Sequence, residues 1–141
     1  MFDYENKVEE NRKRNEKYLK EFEKWLSDKG FVKKTVRKHL SNVGLYINDY
    51  LNYYDITKVE DGMNYIHSFL DGWFIEKCLL ASKNSLKDTA ASIKKFYQYM
   101  SENNYVSVDD YKNMCSFIKN NMDEFLEQVN AFNNGTYYDI F

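Results

Sequence analysis

The chain has 141 residues, a formal charge of −2, 43% hydrophobic and 18% aromatic residues, which excludes a disordered polypeptide and favours one domain with its own core over a two-domain enzyme. It has no proline and only five glycines, too few punctuating residues for a run of hairpins or a linker, so the expected fold is all-α, with long helices joined by short polar turns. The near-neutral sum hides a segregation. Gly30 to Asn48 carries four cations (Lys33, Lys34, Arg37, Lys38) and no acid, Lys77 to Lys95 carries five lysines against Asp88 alone, and from Phe96 onward two lysines face seven acids.

In chain order, residues 5 to 29 read as a highly charged helix. Tyr18, Leu19, Phe22, Trp25 and Leu26 form its sustained apolar stripe, and the alternating charges of its first half read as a solvated face. Gly30 is placed to stop this helix in the left-handed conformation. A second helix, about Lys33 to Tyr54, is expected to bury Val36, Leu40, Val43, Ile47, Tyr50, Leu51 and Tyr54. At 100° per residue Lys34, Arg37, Lys38 and Ser41 fall on its far side. Clustered cations are unfavourable at a helix N-terminus, and phosphate is what such a site welcomes. Gly44, inside this helix, predicts the close approach of a neighbouring helix, since it otherwise costs about 1 kcal/mol relative to Ala.

A third helix is expected from about Val59 to Leu80, with Met63, Ile66, Leu70, Trp73 and Phe74 inward and Gly72 as a break point. Ser82 is the natural N-cap of a fourth helix, ending near Asn103 and Asn104. Its apolar side is Leu86, Ala90, Ile93, Tyr97 and Met100. Lys87, Lys94 and Lys95 lie off that side, and the small Ala91 and Ser92 leave room beside them for another molecule's backbone. Ser107-Val108-Asp109-Asp110 opens a final helix in the manner of a capping box. Its stripe is Tyr111, Met114, Ile118, Met122, Phe125, Val129 and Phe132, and its polar face is acidic: Asp109, Asp110, Asp123, Glu124 and Glu127. Residues 134–141 form an aromatic tail that docks on the bundle or pairs with a partner.

Other chemistry is sparse. Cys78 and Cys115 sit among apolar neighbours and read as buried free thiols. His39 and His67 are far apart, and read without cysteine or carboxylates at ligand spacing, so no metal site is expected. Adjacent acids such as Asp109-Asp110 and Asp123-Glu124 point about 100° apart on a helix, which argues against paired catalytic carboxylates. There is no Gly-rich phosphate loop, so neither a cofactor nor a small-molecule substrate is expected. The polar N-terminus lacks a signal-like apolar stretch, and no apolar run approaches a membrane span. The expected location is cytoplasmic, away from membranes.

One helix ends in Leu-Ser-Asp-Lys-Gly, the next opens Lys-Lys-Thr-Val-Arg-Lys-His-Leu, and after a connecting helix another reads Ser-Leu-Lys-Asp-Thr-Ala-Ala-Ser-Ile-Lys-Lys-Phe-Tyr-Gln-Tyr-Met. This order resembles the N-terminal core-binding domain of tyrosine recombinases and phage integrases, over about Tyr18 to Val106. The resemblance implies a SAM-like bundle of four core helices (residues 5–106), here followed by an additional acidic helix (107–133). It also implies half of a clamp around duplex DNA, with contacts from Lys33, Lys34, Thr35, Arg37, Lys38 and Ser41 on the second helix. On the fourth helix it implicates Lys83, Ser85, Lys87, Ala91, Lys94 and Lys95. The charge segregation picks the same two segments. The arginine, His-x-x-Arg and tyrosine of the family's catalytic domain would have to follow the fourth helix, where no arginine or histidine occurs, so the chain is not expected to cut DNA.

The expected function is therefore a non-catalytic DNA-binding module, gripping phosphates and accessory to or derived from site-specific recombination. The alternative is a helical protein-interaction module that uses the acidic last helix and aromatic tail, with a full-length recombinase or a second copy of the chain as partner.

Overall fold

The computed structural model describes residues 2–77 and 81–135, and the fold is all-α. Cys78 and the tail from Thr136 to Phe141 lie outside the described residues. Helix α1 (Phe2–Asp28) stops at Gly30, whose φ of +91° is the left-handed value expected. The amide of Phe31 donates to Leu26 O (3.3 Å) and that of Gly30 to Ser27 O (3.0 Å), the paired bonds of a Schellman cap. Helix α2 (Lys33–Gly44) runs into a π turn (Leu45–Asp49) and a 3-10 turn (Tyr50–Asn52). A connecting run of mixed pitch follows: a 3-10 stretch (Val59–Tyr65), α3 (Ile66–Ser68), a π turn (Phe69–Trp73) that includes Gly72, and α4 (Phe74–Lys77). The long helices α5 (Lys83–Glu102) and α6 (Val108–Asn133) complete the bundle.

Both long helices start as the sequence predicts. Ser82 and Ser85 make a reciprocal capping box at α5, and Ser107 Oγ accepts the Asp110 amide at α6. Asn104, at φ +62°, turns the chain between them. Leu86, Ala90, Ile93, Tyr97 and Met100 of α5 are buried, as are Met114, Ile118, Phe125 and Val129 of α6, against Phe22, Leu26, Tyr46, Phe69, Phe74 and Phe96. Among the described residues, a single apolar core thus joins every element.

Three expectations are corrected. The first half of α1 is more than a solvated face: Asn11 and Asn15 are buried in it. Asn15 Nδ2 donates to Ile47 O and Asn48 Oδ1 (both 3.0 Å), Asn11 Nδ2 donates to Asn52 Oδ1 (2.8 Å) and Thr57 O (3.1 Å), and Arg12 Nε donates to Asn48 O (3.3 Å). Asn15 and Arg12 thus occupy carbonyls of the π turn where α2 loses its regular pitch. Side chains inserted into the i→i−4 ladder are a known cause of such widening.

Tyr54 is not a core residue; it is 69% exposed, because the helical stretch ends at Asn52 and leaves it in the following turn. Gly44 does not mark close helix approach either, since a Cβ built there meets nothing within 4 Å. That role belongs to Gly62. A Cβ there would collide with the buried hydroxyl of Tyr97 and touch Leu51, while the Gly62 carbonyl accepts from Tyr46 Oη.

Candidate nucleic-acid interface

Helices α2 and α5 pack side by side and antiparallel. Phe31, just before α2, meets Lys95 in the second half of α5, and Leu45, just after α2, borders a groove with Ala81 and Ser85 at the start of α5. His39 and Ser92 form the centre of the contact. The Nδ1 of His39 lies 2.7 Å from Ser92 Oγ, Asn42 Nδ2 donates to the same oxygen (3.0 Å), and Ser92 donates to Asp88 O (3.0 Å). A hydroxyl offers one donor and two acceptor sites. With its proton on Asp88 O, it accepts from both Asn42 and a His39 carrying its proton on Nδ1. The space expected beside the lysines at Ser92 is therefore filled by α2, and Ser92 is fully buried. Ala91, one position on, is exposed.

This packing brings the two cationic segments to one surface. Lys33, Lys34, Arg37, Lys38 and Ser41 are exposed along α2, with Thr35 half-buried beside them; Lys83 and Lys87 are exposed on α5, with Lys94 and Lys95 half-buried. By the wheel, Lys34 and Lys38 lie on the side of α2 nearest α5, and Lys95, Ala91, Lys87 and Lys94 follow across α5. Ser85 sits in the first turn of α5 with its hydroxyl engaged in the cap.

Two cations in the cluster are tied. Lys38 Nζ pairs with Asp88 (3.4 Å), and Lys95 Nζ stands over the Phe31 ring at 5.4 Å. The Lys38–Asp88 pair is half-exposed, a setting in which ion pairs contribute about 0–1 kcal/mol, so a phosphate can displace Asp88. Among the described residues, no ion pair engages Lys33, Lys34, Arg37, Lys83, Lys87 or Lys94. Burial first, then Lys38 and Lys95, lowers the His39 pKa against a smaller opposing effect of Asp88, which keeps the imidazole neutral beneath a positive surface.

The acidic helix α6 packs against α5 on one flank and the connecting run on the other. Asp110 borders a groove with Met63 and Ile66, and Glu124 stands beside His67 and Asp71, so both face the connecting run. Among the described residues, no α6 carboxylate forms an ion pair with a cation of α2 or α5. The far end of α5 is fixed to α1 by other acids: Glu21 Oε1 accepts from Tyr99 and Tyr105 hydroxyls (2.8 Å each), and Trp25 Nε1 donates to Glu102 (3.1 Å).

One constellation was missed in the sequence. His67, Asp71 and Glu124 each place a ligand-type atom within 4.8 Å of the others. The signal was present in part, because Asp71 stands one helical turn after His67; Glu124 comes from α6 and no spacing rule reaches it. Burial raises the Asp71 pKa, opposed by His67. Cys115 is a half-buried free thiol beside Tyr111. No helix among the described residues is long and apolar enough to cross a membrane.

Comparison with models of protein families, with curated proteins and with solved structures finds no match.

Proposed function

We propose that the chain is a DNA-binding module that grips duplex DNA through its phosphates, in the manner of the core-binding domains of tyrosine recombinases, accessory to or derived from site-specific recombination. One observation carries this reading. Two cation clusters far apart in sequence come together on the exposed faces of α2 and α5, with Lys38–Asp88 the only ion pair of either cluster among the described residues. A merely solvated lysine face would be laced with carboxylates, as α1 is by Lys7–Asp3, Lys20–Glu16 and Lys24–Asp28. The grip is chiefly electrostatic and sequence-tolerant, since phosphate contacts position a protein without reading bases. Strand cleavage is not part of the proposal.

Titration of a fluorescent duplex at several salt concentrations tests it. Contacts to about four to six phosphates give a log–log slope of about −4 to −5. A slope near zero, or no binding at low salt, rejects the reading.

A further inference from the structure

We propose that His67, Asp71 and Glu124 form a binding site for a divalent cation of the zinc type, where α6 crosses the connecting run and away from the cationic face. An imidazole nitrogen and two carboxylate oxygens lie within 4.8 Å of one another, and His67 Nε2 is 3.8 Å from Asp71 Oδ2. Three further observations go beyond proximity. The His67 ring is flanked by Phe117 and Phe125, with centroids 5.7 and 5.9 Å away, so its orientation is set by packing before any ligand arrives. The Asp71 side chain is only 20% exposed, and its Oδ1 is buried without a hydrogen-bond donor. A carboxylate oxygen withdrawn from water and left without a donor is stabilised by a cation. Asp71 also sits in a π turn, a widening frequent at functional sites.

The donor set selects the ion. One nitrogen and two oxygens with open positions suit zinc and its first-row neighbours, whereas calcium takes six to eight oxygens and magnesium prefers an oxygen octahedron. Zinc bonds of about 2.0–2.1 Å draw the ligand atoms closer than they now stand. Glu124 is exposed and can move inward onto the packed His67 and the more buried Asp71.

Isothermal titration of the full chain with zinc chloride in chelator-stripped buffer is expected to read one zinc per chain. The thermal midpoint is expected to rise by about 5 °C or more at zinc a hundredfold above Kd. Asp71→Asn and Glu124→Gln, which keep side-chain shape, are expected each to weaken zinc binding by about tenfold or more. The chain has two histidines, so ring resonances of the parent give a second reading that needs no folded site variant: zinc shifts those of His67 and leaves those of His39. Absence of zinc binding at millimolar concentration overturns the site. So does unchanged affinity in the Asp71→Asn/Glu124→Gln double variant, or a shift confined to His39.

Discussion

The imidazole of His39 and the hydroxyl of Ser92 meet at 2.7 Å in the seam between α2 and α5, directly beneath the cations that both helices present to solvent. Because Ser92 also accepts from Asn42 and donates to Asp88 O, a neutral His39 with its proton on Nδ1 completes the bonds of the Ser92 hydroxyl. A protonated one adds a third positive charge beside Lys38 and Lys95.

This fixes the sign of a pH dependence. The folded-state pKa of His39 is below its ordinary 6.5, so the unfolded chain binds the proton more readily. The contribution is fully present above about pH 6.5 and is lost as pH falls toward the folded-state value. The urea midpoint of the parent is expected to drop between pH 7.5 and 5.5, and that of His39→Gln, which keeps a donor but cannot titrate, to drop less. Equal drops would mean that His39 does not carry the effect.

Asn11 tests the polar joint between α1 and the irregular end of α2. Its amide satisfies Asn52 Oδ1 and Thr57 O, and Asn52 is itself buried. Asn11→Ala orphans those acceptors and is expected to cost about 1–3 kcal/mol in urea denaturation. Substituting Ala at the exposed Lys13, which makes none of these bonds, is expected to change stability by less than about 0.5 kcal/mol.

The two glycines of contrasting surroundings predict opposite outcomes. Gly62→Ala drives a methyl group into the Tyr97 hydroxyl and Leu51, disturbing the buried bonds from Tyr97 to Val59 O and Tyr46 to Gly62 O. A loss of about 1–3 kcal/mol is expected. Gly44→Ala meets open space at an ordinary helical φ of −58° and is expected to stabilise by about 0.5–1 kcal/mol. Thermal unfolding of both variants reads the difference.

Much of the fold was legible because its long helices carry strong local signals. The stripe of α5, the serine caps at Ser82 and Ser107, and the stop at Gly30 depend on periodicity and backbone chemistry within a few residues. What was not legible depends on partners distant in sequence. Asn11 and Asn15 sit in a run of charges that reads as solvated, and only the end of α2 reveals why they are buried. The same joint disrupts the regular pitch that placed Tyr54 inward. Gly44 and Gly62 look alike in sequence, and only the position of Tyr97 distinguishes them. At the candidate site, charge counting found both cationic segments, but not that Asp88 binds Lys38 or that Ser92 closes against α2.

The Lys38–Asp88 pair gives the DNA reading a positive test. Asp88→Asn removes a carboxylate from the centre of the cationic surface and frees Lys38, so duplex affinity at constant salt is expected to rise by a few-fold, as one more phosphate contact allows. Weaker binding would show that Asp88 organises the surface rather than opposing DNA.

The most direct measurement is fluorescence anisotropy of a labelled duplex with the parent and with the Arg37→Glu/Lys87→Glu double variant, which reverses one exposed charge on each of α2 and α5. The expected result is a loss of affinity of about tenfold or more, with the far-ultraviolet circular dichroism unchanged. Equal binding by a folded double variant would contradict the assignment of this face to DNA.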